Sequence, residues 1–128
     1  MSARFRTPMK IASGLGSARS GSHHFMVQRI TAVALIALGL WIVWIALEML
    51  HMDYASARAL IGKPWNAVLM ITFLITSFWH AQLGLQVVIE DYVHAKGVEL
   101  AAQIAIKFAC FLDAAASVLA VIRIALGT

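Results

Sequence analysis

The stretch WNAVLMITFLITSFWHAQLGLQVVI, residues 65–89, carries a single titratable side chain, His80. An α-helix rises about 1.5 Å per residue and the hydrocarbon layer of a bilayer is about 30 Å thick, so this stretch can cross it once. Two more apolar stretches flank it. Residues 30–50 are uncharged until Glu48, and a run from about 100 to 126 is interrupted by Lys107, Asp113 and Arg123. The sequence predicts an all-α membrane protein with three transmembrane helices at about residues 30–50, 65–89 and 100–125. Composition agrees: 62% of the 128 residues are hydrophobic and 12% charged, with a mean hydropathy of +0.85. Soluble domains are about 45–50% apolar and about 25% charged. That balance excludes an ordinary soluble enzyme, and the low charge excludes a disordered chain.

Outside the spans the chain is short. Residues 1–22 read as a basic cytoplasmic tail and residues 23–128 as the membrane anchor domain. Residues 51–64 form one connection, with room for a helical turn or two around 54–60. Residues 90–99 form the other, with Gly97 as its breaker. Residues 1–47 hold no acid but carry Arg4, Arg6, Lys10, Arg19 and Arg29. These five and Lys96 fall on one side, against Arg58, Lys63 and Arg123 on the other, which places the N-terminus in the cytoplasm or an organelle matrix. No cleavable signal peptide is expected. A bacterial inner membrane is the expected location. The acid-free tail also fits a mitochondrial transit peptide, so the mitochondrial inner membrane is the alternative. The single cysteine, Cys110, allows no internal disulfide.

His80 is the most informative residue. Ionisable side chains at lipid depth are expensive and mark functional sites. A neutral imidazole there is suited to axial ligation of haem iron. Thr76, His80, Gly84, Val87 and Asp91 share one helical face, and Gly84 would let a macrocycle approach the backbone. A histidine hydrogen-bonded to a neighbouring helix, with glycine for close packing, explains the same spacing. A buried electron-transfer haem b usually takes two histidines, and no other span of this chain contains one. Haem ligation therefore requires a partner polypeptide. Asp91 and Tyr92 close the same helix, where a tyrosine beside a carboxylate suits a quinone carbonyl, or simply an aromatic belt. Arg29 suits a haem propionate or a snorkelling role. Asp113 sits on a small-residue face and suits a helix contact or a proton relay. Cys110 reads as a packing residue, and Trp41, Trp44 and Trp65 as interfacial or lipid-facing. No phosphate loop, catalytic triad or zinc spacing is present, and the tail gives no nucleic-acid signature.

The block from His80 to Val93, HAQLGLQVVIEDYV, resembles the His-x-x-x-Gly…Asp-Tyr motif of the small hydrophobic membrane anchors of succinate dehydrogenase. The segment GSHHFMVQRITA, residues 21–32, resembles the start of that family's first span. The resemblance implies an anchor beside a second three-span anchor (the cytochrome b556 anchor), an iron–sulfur protein and a flavoprotein in one complex, with membrane lipid around the two anchors. It implies haem b and ubiquinone as cofactors. His80 would be the haem b axial ligand and Tyr92 would hydrogen-bond ubiquinone, with Asp91 as its neighbour. Arg29 would lie near the haem propionates or the quinone, and His23 near the propionates. The three helices would form part of a heteromeric bundle. The chain itself would hold no catalytic residue for succinate oxidation; it belongs to an oxidoreductase complex.

Three rivals share much of this pattern. A fumarate reductase-type anchor runs the same architecture in reverse with menaquinol. A structural membrane protein without haem would use His80 only as a hydrogen-bonding group. A proton- or ion-translocating component would be built around Asp113.

Overall fold

The computed structural model describes residues 7–9 and 21–127. The described residues form four α-helices: α1 (Gly21–Met49), α2 (Tyr54–Gly62), α3 (Pro64–Tyr92) and α4 (Lys96–Leu126). Three of them, α1, α3 and α4, are long and apolar enough to cross a membrane. Each outruns its apolar stretch, because hydropathy marks where lipid touches a helix and not where its hydrogen bonding stops. The basic tail expected over residues 1–22 lies mostly outside the described residues, but Gly21 and Ser22 already belong to α1.

The connections are shorter than the sequence suggests. Asp53 caps α2 by accepting from the Ser56 backbone N–H at 3.2 Å. The Ser56 hydroxyl and N–H together hold the Asp53 carboxyl below its usual range. Lys63 is extended (ψ 133), as a residue before proline tends to be, and Pro64 opens α3 where its missing N–H costs nothing. The Asn66 side chain donates to the Leu60 carbonyl at 2.8 Å and satisfies an orphan group at the end of α2. The expected break at Gly97 is corrected. Gly97 is the second residue of α4, in the first turn, and the turn between helices is residues 93–95. Ala95 takes the N-cap position, its carbonyl accepting from Glu99 N–H at 2.9 Å. At the far end Gly127 adopts the left-handed conformation (φ 78) that ends α4.

α3 is the centre of the fold. It packs against α1 on one side and α4 on the other, while α1 and α4 make at most a marginal contact among the described residues. α2 lies against α3 and α4. The buried apolar set is small, namely Ile45, Leu60, Ala67, Leu83, Ile89 and Val121. Large side chains such as Leu40 and Phe111 are about 70% exposed (71% and 70%). In lipid such faces carry no penalty, and helices associate through close packing and polar contacts instead.

Among the described glycines, Gly62 makes the tightest approach to another element. A Cβ there would stand 3.3 Å from the Ile124 carbonyl oxygen and 3.9 Å from Ala125 Cα. Gly62→Val should displace α2 from α4 and cost about 1–3 kcal/mol. Gly62→Ala, which gains up to about 1 kcal/mol of helix propensity, should be close to neutral. Thermal unfolding of the purified complex in detergent checks this. Equal melting temperatures for wild type and the valine variant would contradict it.

Candidate functional site

The α1–α3 interface is polar at one level. Thr31 of α1 is 7% exposed, and its Oγ1 lies 2.9 Å from Nδ1 of His80 in α3. The same Oγ1 is 2.9 Å from the Val27 carbonyl and 3.1 Å from that of Gln28, the back-bonding typical of a helical threonine. Three residues before Thr31 and four after His80, Gln28 meets Gly84: a Cβ on Gly84 would lie 3.8 Å from Gln28 Nε2. Numbers falling on α1 while they rise on α3 make the pair antiparallel. The Gln28 side chain therefore lies beside Gly84, at a distance where an added methyl would make ordinary contact. The second ring nitrogen of His80, Nε2, has no hydrogen-bond partner among the described residues, and the residue is half-buried.

One turn before Gln28, His24 shares its face. His24 Nε2 and Gln28 Oε1 are both closed off without a partner among the described residues. Leaving such an atom unmatched costs about 1–3 kcal/mol, so each marks a place where another group is wanted. Sequence reasoning singles out His23, sets His24 aside and gives no role to Gln28 or Thr31. His23 is exposed, whereas His24 is half-buried. The signal was present as a polar stripe: positions 24, 28 and 31 are spaced four and then three, which is one face of a helix.

Helical rise fixes the depth. His80 stands twelve residues from Tyr92, about 18 Å, and Thr31 ten residues from Gly21, about 15 Å. The polar opening of α1 therefore runs beside the half of α3 between His80 and Tyr92. His80 is the inner end of a polar corridor rather than an isolated group.

The other expected residues lie apart from it. Arg29 is exposed, its guanidinium 5.0 Å above the ring of Phe25 one turn back. Asp91 and Tyr92 occupy the last turn of α3 and both are exposed, Tyr92 at 78%. The structure does not bring Arg29, Asp91 or Tyr92 to His80. Asp91 and Tyr92 form a rim at the end of α3, separate from the deep histidine.

The opposite face of α3 meets α4. Gln82 Nε2 donates to Gln86 Oε1 at 3.3 Å, and Gln86 Nε2 to Glu90 Oε1 at 2.8 Å. Gln103 of α4 bridges Glu90 (3.5 Å) and Glu99 (3.4 Å). Beyond this ladder, Ile75, Phe78, Gln82, Lys107, Cys110 and Phe111 line a groove of about 320 Å³. Cys110 is half-buried there, and Asp113 is exposed. No three His, Cys, Asp or Glu side chains converge among the described residues.

Comparison with known proteins extends the resemblance along the chain. Residues 3–114 match the family described as succinate dehydrogenase/fumarate reductase transmembrane subunit. A Rickettsia bellii protein named succinate dehydrogenase hydrophobic membrane anchor subunit is 38% identical over 117 residues, 91% of this chain and 94% of that protein. A Paracoccus denitrificans protein of the same name is 32% identical over 124 residues, 97% of this chain and 95% of its own length. A Reclinomonas americana protein named succinate dehydrogenase membrane anchor subunit is 27% identical over 81 residues, 61% of this chain and 68% of its own. No solved structure matches the chain significantly. The matches run through α1, α2 and α3 and into α4, well beyond the two quoted segments, and on that basis the chain belongs to the succinate dehydrogenase/fumarate reductase transmembrane subunit family, as a membrane anchor.

Proposed function

We propose that the chain is the small hydrophobic anchor of a succinate:ubiquinone oxidoreductase, contributing one axial ligand to a haem b and part of a ubiquinone site. The observation that carries the haem reading is His80, an imidazole within an apolar span with Nδ1 engaged by Thr31 and Nε2 without a partner among the described residues. The residues fit the group. One ring nitrogen has no hydrogen-bond partner among the described residues, while Gly84 one turn away faces Gln28 of α1. When bound, haem b supplies one-electron storage inside the membrane. His80 would hold its iron, and the second ligand would come from the other anchor, since no other histidine lies within residues 30–50, 65–89 or 100–126.

At the rim, the Tyr92 phenol donates to a quinone carbonyl oxygen, with the Asp91 carboxylate beside it and Arg29 on the same side of the membrane. Exposure of Tyr92 leaves its hydroxyl available to a pocket that a partner completes. The second anchor is the partner within the bilayer, and the iron–sulfur protein and the flavoprotein dock on the cytoplasmic face of a bacterial inner membrane, with the N-terminus on that side. Succinate oxidation takes place in the flavoprotein. The relatives cited carry succinate dehydrogenase names, which favours this direction over fumarate reduction.

Two variants test the two sites separately. In the purified complex, His80→Ala should abolish or sharply reduce the b-type reduced-minus-oxidised signal, and an unchanged spectrum in an assembled complex would sink the haem assignment. Tyr92→Phe should lower quinone reduction about a hundredfold, the lower end of the usual contribution of a proton-donating side chain. Succinate oxidation by an artificial acceptor should be retained. Equal loss of both activities would count against the quinone role.

A further inference from the structure

The Thr31 hydroxyl has one hydrogen and three oxygen or nitrogen neighbours: the Val27 carbonyl, the Gln28 carbonyl and His80 Nδ1. Carbonyl oxygens can only accept, and the Val27 oxygen lies at 2.9 Å in the position that a helical threonine back-bonds. With its hydrogen directed there, Thr31 Oγ1 faces Nδ1 with lone pairs alone, so the ring must bring the proton. We infer that Thr31 is a positioning residue that fixes His80 in the Nδ1–H tautomer and leaves the Nε2 lone pair outward for a metal.

This rests on the ligand reading proposed above and adds what that reading lacks, a reason why Nε2 and not Nδ1 is the donor. In a neutral imidazole one nitrogen carries the proton and the other binds, and a hydrogen bond at the first decides which. An acceptor on Nδ1–H also fixes the ring plane and makes the ligating nitrogen more basic, which favours ferric over ferrous iron. The other polar side chains on this face of α1 sit further along the helix: Gln28 lies against Gly84, and His24 is one more turn away. Thr31 is left as the partner of His80. It is also the one buried polar residue among those described.

The test uses the assembled complex carrying Thr31→Val, which keeps the shape but removes the hydroxyl, and Thr31→Ser, which restores it. Haem per flavin and the haem midpoint potential are read alongside succinate oxidation by an artificial acceptor. Thr31→Val should raise the midpoint potential and weaken haem retention about tenfold, the usual effect of removing a ligand's hydrogen-bond partner. Thr31→Ser should stay with wild type, and artificial-acceptor activity should be unchanged in both. A valine variant with wild-type potential and retention would overturn the inference, as would a serine variant shifted as far as valine. Should the valine variant not assemble, Thr31→Ala against Thr31→Ser decides by the same readouts. His80→Ala in parallel separates the two claims: haem bound normally without His80 removes the ligand reading itself, whatever Thr31 does.

Discussion

Water is absent from the hydrocarbon layer, so a polar group placed there must find its partner within protein. The Thr31–His80 contact at 2.9 Å meets that requirement, and the placement of α1 on α3 follows from it. Sliding α1 by one turn, about 5.4 Å, would bring Val27 or Leu35 to the imidazole and leave Nδ1 unmatched. Apolar side chains alone would barely resist such a slip, because one aliphatic turn packs much like the next. The polar pair selects one register. With that register set, Gln28 falls opposite Gly84, the position where α3 has no side chain to obstruct it.

The remaining packing is sparse in a way that water would not permit. Among the described residues no large side chain is fully enclosed, and the long helices form a row with α3 in the middle rather than a closed bundle. Leu40 on α1 and Phe108 and Phe111 on α4 remain largely uncovered by the chain's own contacts. Lipid and partner helices are equally apolar, so such faces can meet either without a hydrophobic penalty. Close approach and polar pairing then decide what packs where. Gly62 against the end of α4 is an example of the first, and the Gln103 bridge to Glu90 and Glu99 of the second.

His80 was legible in the sequence because a lone titratable residue inside an apolar run needs no knowledge of packing to be noticed. The three spans were legible for the same reason. Thr31 was not, since a threonine within an apolar stretch gains meaning only when the residue facing it is known. His24 and Gln28 were hidden in a segment that opens beside the tail, because hydropathy falls where the helix still continues. Gly97 misleads for a related reason: glycine breaks a helix in its interior but is tolerated in a first turn, whose N–H groups lack helical acceptors in any case. Its effect depends on where α4 begins, and that is set by residues 93–95.

The deep imidazole and the rim phenol stand on one uninterrupted helix, and this fixes their spacing. α3 is held on both faces over the segment between them. Thr31 and Gln28 of α1 lie along one side. On the other, Gln82, Gln86 and Glu90 bond to one another at successive turns and reach α4 through Gln103. Each i, i+4 link contributes only about 0.2–0.5 kcal/mol, too little to account for the fold. Their placement matters more than their strength. They reinforce residues 82–90, the stretch whose bending or unwinding would change the roughly 18 Å between His80 and Tyr92. A helix supported in this way sets both the position of His80 and the height of the rim, and neither can shift without carrying the other.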